Sequence, residues 1–287
     1  MGLIDFILNL AGVLVWLSWR SIRFDPLVKT RPATLVGTLR RAEPRHPKGW
    51  QLLAGLAVLL VLRALLYQQI GPEADWTPKL DLYFIVLAFR LRSDVFLPAM
   101  VFSVLSFARI LIVCYFWLLA LAMINRHSAE PDPLQKIIRL HLGSVARWPW
   151  LLQLLVPLLL ITGLWIALHP LLVPLQITSR VRFNAHVAEQ GLLIGTALYF
   201  SLQYLLPVFL FLHLVASYVY LGASPLWDFV GATARNLLAP LRWLPLRVAR
   251  FDFTPLVGVV LIFVLLHWLP NLILGKLAQN NVSPWPQ

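Results

Sequence analysis

Charged residues are scarce in this chain. Only 13% of the 287 residues are charged, whereas 60% are hydrophobic and the mean hydropathy is +0.77. A soluble domain has about 25% charged and about 45–50% apolar residues. The composition therefore excludes a soluble globular enzyme and a disordered chain, and it predicts an integral membrane protein.

Cysteine and the common catalytic motifs are also lacking. The single cysteine, Cys114, lies within an apolar run, which excludes an internal disulfide and a Cys-x-x-Cys site. The sequence contains no glycine-rich phosphate loop, no Gly-x-Ser-x-Gly and no His-Glu-x-x-His. No carboxylate lies in the central part of an apolar run, which weighs against a proton-coupled transporter. We expect no enzymatic activity, no metal and no cofactor.

Six apolar runs are long enough, or nearly so, to cross a bilayer as helices. They are Leu3–Trp19, Trp50–Tyr67, Phe96–Ile124, Trp148–Leu168, Gly191–Leu221 and Pro255–Leu274. The first run is short and contains Asp5 and Asn9, so an interfacial helix is the alternative there. It has no basic segment before it and no small-residue cleavage site after it, which predicts a retained anchor.

The basic residues predict how the chain is oriented. Loops on one side of the membrane hold 16 Lys and Arg residues, and those on the other side hold six. Basic loops face the cytoplasm, so both termini are predicted to lie outside a bacterial inner membrane. The net charge of +12 is then explained by anionic lipid headgroups rather than by nucleic acid.

We expect an all-α fold of three helical hairpins, at 1–70, 96–170 and 191–275, the first with a basic cytoplasmic loop. The hairpins are separated by external loops at 71–95 and 171–190, and a tail follows at 276–287. Residues 175–183 alternate apolar and polar side chains, as an amphipathic strand does. Shorter hints of the same pattern occur before the third run. A small external β element is therefore predicted.

A recurring unit links the spans. The pair Pro-Leu occurs at Pro26, Pro133 and Pro225, and each pair precedes an amphipathic stretch, a basic turn with proline and another span. Proline suits the start of a short helix beside the membrane. The basic residues predicted to reach lipid phosphates are Arg40, Arg41, Arg235 and Arg242. Packing between hairpins, without lipid specificity, is the alternative.

The third copy of this unit, from Ser224 to Val260, resembles the YggT family of small bacterial membrane proteins. The residues at the family's motif positions are Pro225, Leu226, Pro240, Arg242, Pro245, Asp252, Thr254 and Pro255. Thr254 replaces the usual serine, and Val248-Ala249-Arg250 stands where glycines normally precede the aspartate. The resemblance covers about residues 200–275, and a weaker similarity to the same pattern covers residues 97–170.

The resemblance implies a loosely defined role in envelope organisation, division or osmotic tolerance. Some photosynthetic relatives are implicated in cytochrome b assembly. Independently of the family, Pro255 suits the first turn of a helix, Thr254 suits its N-cap, and Asp252 suits the positive end of its dipole. The motif is therefore either a device that starts a helix or a contact for a partner.

Polar residues inside the spans are the remaining candidates for function. Arg63 is within reach of the outer interface by snorkelling. Arg109 lies in a run long enough to place it close to the headgroups, and a defined partner is the alternative there. His213 and His267, on different spans, either ligate a b-type haem or bond to neighbouring side chains.

Three functions remain open. The first is a non-enzymatic scaffold or accessory protein that contacts lipids and other membrane proteins. The second is a channel or transporter for a small solute or ion, and the third is a haem-handling factor. Small residues in the spans are compatible with a homo-oligomer.

Overall fold

The structure is a computed structural model that describes residues 2–23, 49–73, 79–82, 85–88, 96–126, 133–174, 184–219, 222, 224–241, 243, 247–248, 251–268, 270–272 and 275. Six helical segments in this part of the chain are long and apolar enough to cross a membrane, as predicted. They are Leu3–Arg20, Gly49–Ile70, Phe96–Ile124, Trp150–Leu172, His186–Tyr218 and Thr254–Leu272. The protein is therefore a multi-pass membrane protein.

The described residues form nine α-helices and two short hairpins. The helices are α1 (Gly2–Arg23), α2 (Gly49–Glu73), α3 (Phe96–Ile124), α4 (Pro133–Leu142), α5 (Trp150–Leu172), α6 (Asn184–Phe200), α7 (Leu202–Tyr218), α8 (Pro225–Leu237) and α9 (Thr254–Phe263). Turns of 3₁₀ helix follow α4 at Gly143–Arg147 and α8 at Ala239–Leu241, and a π-helical turn, Val264–Trp268, follows α9.

The two hairpins connect helices. Strands β1 (Lys79–Leu82) and β2 (Ile85–Ala88) pair antiparallel, within the loop predicted at 71–95. Strands β3 (Arg247–Val248) and β4 (Phe251–Asp252) pair in the same way just before α9. The strand predicted at 175–183 lies outside the described residues.

The chain divides into two compact units, and the first contains α1, α2 and the part of α3 up to Leu111. Helices α1 and α2 run antiparallel, because Asp5 contacts Arg63 near one end and Trp19 lies beside Gly49 at the other. A Cβ at Gly12 would lie only 2.9 Å from the Phe107 ring, so glycine permits close packing there. This packing along α2 favours a spanning α1 over an interfacial one.

The second unit contains the rest of α3 and α4–α9, with both hairpins. Helix α5 packs along α6, and α7 packs against α8 and α9. One apolar cluster joins α7, α8 and α9 through Leu210, Ala234 and Ile262. A second cluster joins the end of α3 to α4 and α8. The amphipathic helix α8 therefore buries its apolar stripe against the spans.

The fifth span is broken in its middle. Around Ser201, between α6 and α7, the backbone bonds join residues three apart: Ser201 N–H to Leu198 O and Tyr204 N–H to Ser201 O, both 3.1 Å. Pro207, inside α7, has no N–H to donate to the carbonyl four residues earlier, and its ring crowds that carbonyl. Pro207 thus weakens the first turns of α7, just after the break.

The starts of α8 and α9 test the predicted proline positions. Pro225 opens α8, as predicted, and Pro240 lies just beyond the end of that helix. Pro255 lies in the first turn of α9, also as predicted, but the prediction that Thr254 is the N-cap is wrong. Phe253 takes that position in a helical conformation and its carbonyl accepts Val257 N–H at 3.0 Å, so the helix begins one residue earlier.

Close contact between α5 and α6 depends on Gly191. A Cβ there would lie 3.1 Å from Thr162 Cα and O, which are backbone atoms that cannot move aside. We expect Gly191→Val to destabilise the protein by about 1–3 kcal/mol through overpacking. Thermal unfolding in detergent measures this. Gly163→Val is the control on α5, because nothing lies within 4 Å of a Cβ at Gly163, and an equal loss from both variants would contradict the prediction.

Candidate functional site

The most concentrated group of polar side chains surrounds Arg63 in the first unit. Its guanidinium donates four hydrogen bonds within the chain: to Tyr67 Oη at 2.5 Å, Asn9 Oδ1 at 2.7 Å, Ser106 Oγ at 2.7 Å and Asp5 Oδ1 at 3.1 Å. We call these five residues the Arg63 cluster. It joins α1, α2 and α3, so a single side chain fixes the register of three helices.

Burial makes this cluster energetically important. Arg63 is fully buried and Asn9 is 2% exposed, whereas the Asp5 side chain keeps 24% of its surface exposed. A charge in a membrane span is costly unless it is paired, and a buried pair needs further hydrogen bonds to offset its desolvation. Asn9 and Ser106 supply such bonds to Arg63, and they also bond to each other at 3.3 Å.

Arg109 belongs to the surroundings of this cluster. It lies three residues after Ser106 on α3 and interacts electrostatically with Asp5 and Arg63. The sequence interpretation missed the roles of Arg63 and Asp5, because it treated Arg63 as a snorkelling side chain. A signal was available: Asp5 and Asn9 are four residues apart, as are Arg63 and Tyr67, so each pair shares a helix face.

A second polar group lies at the end of α3 in the second unit. Asn125 donates to Thr233 Oγ1 on α8 at 2.8 Å, and its Oδ1 accepts Asn236 Nδ2 at 3.0 Å. Its backbone oxygen accepts Gln135 Nε2 of α4 at 2.5 Å. We call these four residues the Asn125 cluster. Asn125, Gln135 and Thr233 are each at most 1% exposed, so the cluster ties both amphipathic helices to a span.

A third polar contact lies between two irregular stretches of helix. His267 is in the π-helical turn after α9, and its Nδ1 lies 3.1 Å from Gln203 Oε1 in the first turn of α7. Trp117 Nε1 donates to Ser201 Oγ at 3.0 Å, at the break between α6 and α7. π-Helical turns are frequent at functional sites, which makes this region the second candidate site.

The two histidines do not form a haem site. His267 contacts Gln203, which lies ten residues before His213 on the same helix, α7. Ten residues of helix span about 15 Å, whereas the two axial ligands of a haem bind the same iron atom. These residues therefore do not fit a bis-imidazole haem.

The other predicted residues fall into two sets. Arg235 is exposed on α8, Leu226 is exposed at the start of the same helix, and Thr254 is partly buried at the start of α9. Arg40, Arg41, Arg242 and Pro245 lie outside the described residues, as does the side chain of Asp252. The parts of the chain that are described contain no group of three or more His, Cys, Asp or Glu side chains placed to hold a metal ion.

Comparison of the chain with known protein families, with curated proteins and with solved structures finds no match. Within the described spans, the Arg63 and Asn125 clusters are networks in which donors and acceptors of the same chain bond to one another. Such networks hold helices together.

Proposed function

We propose that the protein is a non-enzymatic scaffold or accessory protein of the bacterial inner membrane, which holds or helps to assemble other membrane proteins. One observation carries this proposal: the side chains of Arg63 and Asn125, each at most 1% exposed, bond to helices of their own chain. A transporter presents such groups to its substrate. A scaffold uses them to fix its helices.

The outward faces of the helices support the same proposal. Val58 on α2, Leu159 on α5 and Phe211 on α7 are each more than 60% exposed. Apolar side chains on a span contact either lipid or the helices of another membrane protein. Helices joined by buried hydrogen bonds, with apolar outer faces, suit a protein that positions partners.

The proposal includes an internal repeat and a relationship to the YggT family, and the order of elements is in line with the repeat. Two of the three predicted copies lie within the described residues, as α3–α4–α5 and α7–α8–α9, whereas the Pro-Leu pair of the first, at Pro26, lies outside them. In each, a span is followed by a short helix that opens with Pro-Leu, at Pro133 or Pro225, then by a 3₁₀ turn and the next span. The proposed orientation places both short helices on the cytoplasmic side, in line with the excess of basic residues in those loops.

A channel or transporter is the second candidate, and the break in the fifth span favours it. Irregular backbone at membrane depth is tolerated where it is buried in protein or lines a cavity. Ser201 lies at such a break, and Gln203 contacts His267 in the π-helical turn. In this alternative, a solute path would pass beside that contact.

Photo-crosslinking in cells separates the two candidates. A photoreactive amino acid replaces either Phe211, which is 61% exposed, or the neighbouring Leu210, which is fully buried. The same comparison is made on α5 with the exposed Leu159 and the buried Ile161. Affinity purification in mild detergent and mass spectrometry then identify the products.

For a scaffold, we expect the exposed positions to capture a reproducible set of other membrane proteins and the buried positions to capture none. Recovery of this chain alone, together with solute flux through liposomes that contain the purified protein, would overturn the scaffold proposal in favour of a channel. Flux that is lost in Gln203→Leu and His267→Leu would locate the path.

A further inference from the structure

Helix α4 is attached at both ends to the ends of membrane spans. At its start, Gln135 Nε2 donates to the Asn125 backbone oxygen, and Ile138 packs against Leu121 and Ala122 near the end of α3. After its end, Gln153 Nε2, in the first turn of α5, donates to Val145 O at 3.0 Å. These contacts hold α4 at the level where two spans end. That level is the headgroup region of the bilayer.

The outer face of α4 combines positive charge with aliphatic surface. Lys136 and Arg139 are exposed, and Ile137 and Leu140 are 49% and 39% exposed. Lys136 lies three residues from Arg139 and four from Leu140, so these side chains are neighbours on the helix surface. Residues 133–147 contain Lys136, Arg139 and Arg147 and no acidic residue. This face therefore offers cations beside apolar side chains at headgroup depth.

We propose that this face of α4 is a binding surface for anionic phospholipids of the surrounding bilayer, with Lys136 and Arg139 on the headgroup phosphates and Ile137 and Leu140 among the acyl chains. An in-plane amphipathic helix binds lipid in this way, through buried apolar area and attraction to anionic headgroups. The inference concerns residues that the sequence interpretation did not single out, and it holds whether the protein is a scaffold or a channel.

Native mass spectrometry of the full-length protein in detergent tests the proposal. Phosphatidylglycerol and phosphatidylcholine with identical acyl chains are titrated separately. We expect tighter binding of phosphatidylglycerol to the wild type, and about fivefold weaker binding for each basic residue that is neutralised. The double variant Lys136→Gln/Arg139→Gln should therefore lose about 25-fold in affinity for phosphatidylglycerol and little for phosphatidylcholine.

The matched control is Lys136→Arg/Arg139→Lys, which keeps both charges at the same positions and should keep the preference. Glutamine has a helix propensity close to that of lysine and arginine, and elution and thermal unfolding identify any variant that is misfolded. The proposal is overturned if both lipids bind equally, or if the glutamine variant folds and retains the preference. Displacement of phosphatidylglycerol by an equal concentration of soluble glycerol phosphate would also overturn it, because the site would then take a free phosphate.

Discussion

Arg63→Met is expected to destabilise the first unit by about 3 kcal/mol. The substitution leaves the Asp5 carboxylate without its salt bridge and removes the four hydrogen bonds that the guanidinium donates. Loss of one partner from a buried ion pair costs about 3–5 kcal/mol, and we expect the low end because Asp5 is partly exposed. Thermal unfolding in detergent gives the size of the loss. Amide hydrogen exchange should rise in α1 and α2.

Two further variants distinguish the ion pair from simple loss of volume. Asp5→Leu/Arg63→Met removes both charges and should recover part of the stability, since replacing a whole buried pair by apolar residues is often neutral. Arg63→Lys keeps the charge but loses the planar guanidinium that bonds several acceptors at once. The stability of this variant should therefore lie between those of the wild type and Arg63→Met. If Arg63→Met and the double variant were equally unstable, the charge pair would not be the cause.

The six spans could be predicted closely from the sequence. The predicted run Phe96–Ile124 coincides with its observed span, and the others differ by a few residues at their ends. Hydropathy works here because lipid imposes one requirement on about 20 consecutive residues, that of being largely apolar. The proline positions were equally informative, since proline is tolerated in the first turn of a helix and disfavoured in its interior.

The partners of the polar residues could not be predicted in the same way. The face of α2 that contacts α1 depends on the rotation of both helices about their axes and on their relative height in the membrane. Average hydropathy contains no information about either quantity. Asn9 and Arg63 are 54 residues apart in the sequence, and Asn125 and Thr233 are 108 apart. Each residue alone fits several roles, and only the packing brings one acceptor to one donor.

The break at Ser201 and the π-helical turn at Val264–Trp268 illustrate the same limit. Pro207 gave a local reason to expect a kink in the fifth run, but the sequence carries no comparable signal for the π turn. The contact between Gln203 and His267 links the two irregularities. It follows from tertiary packing of α7 against α9, which no local pattern encodes.

Asn125→Leu is expected to destabilise the second unit by about 2 kcal/mol and to loosen α8, and α4 through the packing of Ile138 in the same apolar cluster as Phe229 of α8. The variant keeps the backbone oxygen that accepts Gln135 but loses the side-chain bonds to Thr233 Oγ1 and Asn236 Nδ2. Thr233 is fully buried, so water cannot replace the bond that its hydroxyl loses. A buried polar group that loses its hydrogen-bond partner destabilises a protein by about 1–3 kcal/mol. Hydrogen exchange should rise in α4 and α8 and stay unchanged in α1 and α2.

The double variant Asn125→Leu/Thr233→Val tests whether the stranded hydroxyl is the reason. Valine has nearly the shape of threonine and carries no polar group, so removal of both partners should cost about 1 kcal/mol less than the sum of the single variants. Additive losses would contradict the coupling between α3 and α8. Coupling would establish that the Asn125 amide joins α8 to the end of α3.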